Sequence, residues 1–320
     1  MRKIIIDCDT GTDDAIALML AVLSKKFDIL GVTCVAGNQL VEDTADNTLR
    51  VLDFVGSDVK VYKGANGPMY PEIQEKRREF VSEGPIFYTD DKGEIHHLHP
   101  RHLWLPETKR KPEDKDAVDF IIDTCLNSKE KITIVPTGPA SNVGKAIKKN
   151  PDIIRNIEEI VFMGGSVNTG NITETAEANF FNDPDAIKII IDSGVKCVTA
   201  ALDATIMAAI DVEKSNKLLD SDNKYLKFFG EIIKWRADVE YHLGWADGIN
   251  EPLHDPMAIV YMIDDSFIKC VRHQVSIDTG VNPESGSLIV DKGIGNDDFW
   301  IMEECDKEKY YDFITDMFSE

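Results

Sequence analysis

Residues 4–17 read IIIDCDTGTDDAIA: an apolar run, then Asp7, Asp9, Asp13 and Asp14 in close succession, then apolar residues again. Two unit charges about 4 Å apart repel by roughly 4 kcal/mol at an effective dielectric of about 20. Four carboxylates at the mouth of a strand that leads into a helix are therefore either splayed into water or neutralised by a positive charge. Capping the helix and complementing its dipole accounts for one or two of them, not four. An oxygen-rich, sulfur-free cluster selects a hard cation, Ca²⁺ or Mg²⁺, over zinc.

Polar groups also close the other apolar runs. Gly37-Asn38 follows the second, Thr137-Gly138 follows ITIVP, and Gly164-Gly165 follows IVFM; GNITETAEANFFNDP spans residues 170–184, and LHDPMAIV sets His254 and Asp255 at the start of a helix. In an open α/β sheet ligands bind beyond the carboxyl ends of the strands, which is where these groups are expected. Asp9, Asp14, Asp255 and a carbonyl near Thr137 would meet much of the demand of Ca²⁺ for roughly six to eight oxygens. On spacing alone, His254 reads as a helix-capping histidine that neighbours a metal ligand. Neither a phosphate-binding Gly-x-x-x-x-Gly-Lys nor a dinucleotide Gly-x-Gly-x-x-Gly follows any strand.

The elements that must position these groups are short β-branched runs alternating with helical periodicity. Strands are expected at Ile4 to Ile6, Ile29 to Val35, Ile132 to Val135, Ile160 to Met163 and Lys196 to Leu202. Helices are expected at Ala15 to Leu23, Asp43 to Phe54, Asp116 to Cys125, Asn142 to Lys148, Asp185 to Asp192 and Lys217 to Lys234. This alternation predicts an α/β fold: one large, open, mostly parallel sheet flanked by helices, Rossmann-like, in a single domain over 1–320. Alternating stretches after Phe267 and a last helix near Lys307 to Phe318 complete the sheet or pack on its edge. Residues 66–112 are proline-rich and charged, lack clear periodicity and hold four of the seven histidines (His96, His97, His99, His102). They read as a long surface excursion that covers the site, or as plain decoration.

Of 320 residues, 43% are hydrophobic and 29% charged, a globular composition, and the formal net charge is -22. So negative a surface repels phosphate backbones, which excludes a nucleic-acid polymer as partner. Six scattered cysteines without a Cys-x-x-Cys pair suit a reducing cytoplasm. No run has the length of a signal-peptide core or a membrane span, so a cytoplasmic protein without membrane attachment is expected.

With these residues in view, the chain resembles the inosine-uridine type nucleoside hydrolases. DCDTGTDDAIA matches that family's opening signature, and VAGN, VPTGPASN, FMGG, GNITETAEANFFNDPDA, SGV, LDAT and LHDP continue the match in order to about Asp291. The resemblance implies a calcium ion held by Asp9, Asp14, the Thr137 main-chain carbonyl and Asp255. It implies that Asp13, Asn38, Asn171, Glu177 and Asn179 hold the ribose hydroxyls, with Met163 against the sugar. Asp9 would accept the proton of a water held by the cation, and His254 would protonate the departing base or relay a proton to it. The implied partner is a small ribonucleoside, and the implied assembly a homodimer or homotetramer.

Two segments depart from the family pattern. The region Glu83 to Pro106 lacks the usual His-Gly and Asp-Gly-Leu-Gly segments, leaving His97, His99 and Trp104 as stand-ins for base contacts. Tyr241 to Glu251 lies where the family has a mobile base-facing segment, so Tyr241, His242 and Trp245 are candidates to pack on a nucleobase. NPESGSLIVD lacks an arginine often found before its glycine.

Two rival readings are open. A haloacid dehalogenase-type phosphatase would use Asp7 as nucleophile with Mg²⁺, and GIGNDDFW mimics its late acidic motif; Gly11 and the lack of a placeable lysine motif count against it. A catalytically silent calcium- or ribose-binding protein would bind nucleoside without turnover.

Overall fold

The computed structural model describes residues 1–81 and 86–319, so Ser82 to Pro85 of the 66–112 excursion lie outside the described residues. In chain order the strands are β1 (Arg2–Cys8), β2 (Phe27–Cys34), β3 (Val61–Lys63), β4 (Phe87–Thr89), β5 (Ile95–His97), β6 (Ile132–Pro136) and β7 (Ile157–Met163). They continue as β8 (Cys197–Ala200), β9 (Ile210–Asp211), β10 (Asn250–Glu251), β11 (Ile268–Ile277), β12 (Leu288–Val290) and β13 (Asn296–Cys305). Nine of them form one sheet in the order β12-β11-β13-β8-β7-β6-β1-β2-β3. From β13 through β3 all neighbours pair in parallel; at one edge the β13–β11 and β11–β12 pairings are antiparallel, so β11 alone runs against the rest.

Both faces of β1 are buried, and successive residues feed different cores. Ile4, Ile6 and Cys8 join one apolar cluster and Ile5 the other, as the alternation of side chains across a strand demands. A strand buried on both faces needs no polar alternation, which explains why β1 reads as a plain apolar run. The first cluster includes the helices Thr12–Leu23, Val41–Phe54, Lys224–Leu243 and Pro256–Ile263; the second includes Ala117–Asn127, Ser141–Lys149 and Pro184–Asp192. Among the described residues no helix is long and apolar enough to cross a membrane.

One expectation is corrected, and one segment is more regular than its sequence suggests. The helix expected over Lys217 to Lys234 is broken: a 3₁₀ turn covers Lys217–Asp220, and a new helix runs Lys224–Leu243. Asn223 makes the break, because its side chain accepts the N–H groups of Tyr225 and Leu226 and so caps the second helix. The 66–112 excursion, whose sequence lacks clear periodicity, contains the helix Pro71–Arg78 and the β4–β5 hairpin. Arg77 pins it from within, donating to Asp185 and to the carbonyls of Thr279 and Gly280 while almost fully buried.

Candidate functional site

At the carboxyl ends of β1, β6 and β7 lies a cavity of about 810 Å³. Asp9, Asp13, Asn38, Thr137, Met163, Asn171, Glu177, Asn179, His254 and Asp255 all line it. Asp14 is fully buried behind them, accepting the N–H of Gly11 at 2.9 Å, the Thr137 hydroxyl at 2.8 Å and the Asn38 amide at 3.2 Å. The residues expected to hold a metal, to hold the ribose or to do the chemistry thus converge on one place, from segments as far apart as the end of β1 and the helix Pro256–Ile263.

Asp9 sits where two glycines make room. A Cβ on Gly37 would stand 2.0 Å from Asp9 Oδ2, and one on Gly138 would stand 2.4 Å from Oδ1. The Asn38 N–H donates to Oδ2 at 2.7 Å. Burial, and then the charge of Asp14, push the Asp9 carboxyl well above its ordinary range; burial and the charge of Asp13 push Asp14 up to about 6. Asp255 is driven well up by burial and then by Asp13, Asp14 and Asp9. Three acids made costly to ionise by burial first and by neighbouring carboxylates second are a set that a cation relieves.

Carboxylate oxygens of Asp13, Asp14 and Asp255 lie within 4.8 Å of one another, close enough to share one ion. The donor chemistry is all oxygen, which fits a hard divalent cation. Asp9 stands outside this tightest trio, and Asp13 has a cation of its own. Arg236 Nη1 donates to Asp13 Oδ1 at 3.3 Å, and although burial would raise the carboxyl, Arg236, His99 and His254 bring it down to about 2.

The sugar-facing amides and acid are also held. Glu177 caps the short helix Ala178–Asn182 and accepts the N–H groups of Gly165, Asn179 and Phe180 at 2.8–3.1 Å. Burial outweighs these bonds and brings it up to about 7. The Asn179 amide donates to the carbonyls of Thr137 at 2.8 Å and Met163 at 3.2 Å, tying the loop to two strand ends. His254 Nδ1 lies 2.8 Å from the Thr205 hydroxyl, and burial followed by Arg236 brings its imidazole down to about 4.

Of the base-contact candidates, His99 and Trp245 line the cavity, whereas His97, Trp104, Tyr241 and His242 do not. His97 belongs to the hairpin, its carbonyl accepting from Trp235; Trp104 donates to Glu231; the His242 ring stacks on Tyr88 with centroids 4.0 Å apart. His99 enters through the gap left by Gly11, where a Cβ would stand 2.1 Å from its Nδ1. Sequence reasoning missed Arg236 and Glu240, an Arg–Glu pair one helical turn apart. Their partners, Asp13 and Glu251, are distant in sequence, and no local signal marks them.

The phosphatase reading loses its nucleophile. Asp7 does not line the cavity: its Oδ1 is tied to the Thr33 hydroxyl at 2.6 Å and the Asn142 amide at 2.8 Å. The late acidic motif leads into the start of β13, which pairs in parallel with β8, so it lies at the opposite end of the sheet from the cavity.

A family model described as inosine-uridine preferring nucleoside hydrolase matches residues 4–312. The pyrimidine-specific ribonucleoside hydrolase RihB of Escherichia coli strain SE11 is 34% identical, with 95% of this chain and 96% of that protein aligned. A purine-preferring ribonucleoside hydrolase from Gardnerella vaginalis superposes with a TM-score of 0.84 at 28% identity, over 99% of this chain and 98% of the other. A plant nucleoside hydrolase, the PpNRh1 enzyme, does so with a TM-score of 0.83 at 25% identity over 99% and 98%.

Proposed function

Because this chain belongs to the inosine-uridine preferring nucleoside hydrolases, we propose that it hydrolyses the N-glycosidic bond of ribonucleosides to free ribose and a nucleobase. The observation that carries the assignment of roles is the convergence of four buried aspartates with Asn38, Asn171, Glu177 and Asn179 around one cavity floor. A ribose offers vicinal hydroxyls, and carboxylates and amides are the groups that accept from and donate to them.

Asp9, Asp14, the Thr137 carbonyl and Asp255 are the residues assigned to a calcium ion. An all-oxygen set that mixes carboxylates with a main-chain carbonyl suits calcium's irregular coordination better than the octahedron Mg²⁺ demands. When bound, such a cation supplies the positive charge these acids lack and acidifies a water and a sugar hydroxyl in its reach.

The protein's own groups do the rest. Asp9, held by the Asn38 N–H and the two-glycine cradle, takes the proton of the attacking water. Asp13 accepts from a ribose hydroxyl, and Asn38, Asn171, Glu177 and Asn179 complete the grip, with Met163 under the ring. As the glycosidic bond breaks, the sugar becomes oxocarbenium-like, and the surrounding carboxylates favour that positive charge.

On the leaving side the Thr205 hydroxyl has one proton and two acceptors in reach. His254 Nδ1 lies at 2.8 Å and the Leu202 carbonyl at 3.4 Å, and we assign the proton to the shorter contact. This assignment leaves the imidazole proton on Nε2, and a neutral imidazole then stabilises the departing base by hydrogen bonding and proton relay rather than as a standing imidazolium.

The test is a reducing-sugar assay on a panel of purine and pyrimidine nucleosides, run beside a phosphate-release assay on nucleoside monophosphates. Ribose release lost on exhaustive chelation and restored by Ca²⁺ is expected. Stoichiometric nucleoside binding without turnover would instead leave the silent binding protein.

A further inference from the structure

The wall of the cavity beyond His254 is charged, and its charges are linked to the sugar floor. Arg236 and Glu240 stand one turn apart on the helix Lys224–Leu243, and both line the cavity. The Arg236 side chain is only 2% exposed. Its guanidinium donates through Nε to Glu251 at 2.7 Å, through Nη1 to Thr12 at 3.1 Å and Asp13 at 3.3 Å, and through Nη2 to Glu240 Oε1 at 3.3 Å. Asp13 and Glu240 therefore flank one rigid planar group, which sets the spacing between the acid assigned to the ribose and the acid on the wall. Glu240 Oε2 has no hydrogen-bond partner among the described residues. Close by, the half-exposed side chains of Trp245, Ile206 and Met207 give the cavity mouth an apolar surface on which a flat ring can lie.

A carboxylate only accepts hydrogen bonds, so it discriminates among nucleobases by the donors they present. Hypoxanthine and uracil each present a single ring N–H beside a carbonyl oxygen, which repels the carboxylate. Adenine and cytosine set their amino group next to an unprotonated ring nitrogen, whose lone pair repels it as well. Guanine alone of these places a ring N–H and an amino N–H side by side, matching the two oxygens of a carboxylate. Resting on the nucleoside hydrolase reading, we propose that Glu240, braced by Arg236, reads the departing base by accepting this donor pair. The substrate class it selects is the 2-amino-6-oxopurine ribonucleosides, guanosine before inosine or uridine.

The experiment is kcat/KM for guanosine, inosine and 1-methylguanosine in the wild type, E240Q and E240D. Each value is divided by the same protein's rate on 4-nitrophenyl riboside, so that a folding defect cancels. The wild type should prefer guanosine over inosine by roughly ten-fold or more, the scale of one good bidentate base contact. 1-Methylguanosine, which lacks the ring N–H, should fall to the inosine level or below, and E240Q and E240D should bring the guanosine-to-inosine ratio toward one. Inosine turned over as well as guanosine by the wild type would overturn the proposal, as would an unchanged ratio in E240Q. Should neither variant fold, the three wild-type substrates decide alone. Absence of ribose from every substrate would sink the hydrolase reading and this inference with it, whereas ribose release with the wrong preference sinks only the inference.

Discussion

A Cβ on Gly138 would overlap the carboxylate of Asp9, 2.4 Å from Oδ1 and 2.6 Å from Cγ, and all of the nearest atoms it would meet belong to Asp9. Gly138 does not occupy the left-handed backbone region, so alanine there meets no backbone penalty and acts only by moving the acid. Gly138→Ala should leave the circular dichroism spectrum intact and lower kcat/KM by about 10²-fold or more, the cost of misplacing a reacting group by about 1 Å. Wild-type turnover in this variant would remove Asp9 from its assigned role.

Asp14 and the two histidines of the site respond to pH in opposite senses. Asp14 stands at about 6 in the fold against about 4 unfolded. Its contribution to stability is therefore full below about 4 and is lost as the pH rises through about 6. His99 and His254, brought down to about 4 by burial from about 6.5 unfolded, contribute stability above about 6.5 that is lost as the pH falls through about 4. The part that depends on the cation separates the two. Its ligands must be deprotonated, so the rise in Tm on adding Ca²⁺ to chelated protein should be larger at pH 7.5 than at pH 5. Equal shifts at both pH values, measured by scanning fluorimetry, would contradict a carboxylate-bound ion.

How much of this was legible beforehand depended on the range of the interactions. Asp9, Asp13 and Asp14 share one strand-to-helix turn, and the sheet places such a turn at the carboxyl end of its strand, so local pattern sufficed for them. His99 did not follow from pattern. Three neighbouring histidines compete with it, and its choice depends on the room at Gly11, on Gln39 donating to its own carbonyl at 2.8 Å and on Trp235 donating to the His97 carbonyl at 2.9 Å. Arg236 was hidden for the same reason. An i,i+4 Arg–Glu pair on a long helix is usually solvated, and only the return of β10 beneath it, carrying Glu251, turns it into a buried network.

That network makes a stability prediction. Arg236 is the cation shared by Asp13, Glu240 and Glu251, and Glu251 is buried enough to stand at about 8 even beside it. Arg236→Met should therefore destabilise the fold by about 3–5 kcal/mol, the scale for breaking a buried pair and leaving the charge behind. Without the guanidinium the acids favour their protonated forms, so their folded pKa values rise and the deficit should shrink as the pH is lowered from 7.5 to 5. Urea unfolding at the two pH values measures this. A deficit that grows toward pH 5 would mean that Arg236 does not serve these carboxylates.

His254 bears on the leaving group rather than on the attacking water, which gives it a signature distinct from that of Asp9. His254→Ala should lower kcat on inosine by about 10²–10⁴-fold, the range for losing a proton-transfer group. On 4-nitrophenyl riboside, whose leaving group departs as a stable anion, the loss should be much smaller. The Thr205 hydroxyl orients the ring through Nδ1 at 2.8 Å, so Thr205→Val should reproduce the same substrate pattern in weaker form. Gly138→Ala should instead slow both substrates alike, because the water must be activated whatever departs. Equal losses on inosine and 4-nitrophenyl riboside in His254→Ala would place the histidine among the groups that hold the sugar and take it away from the base.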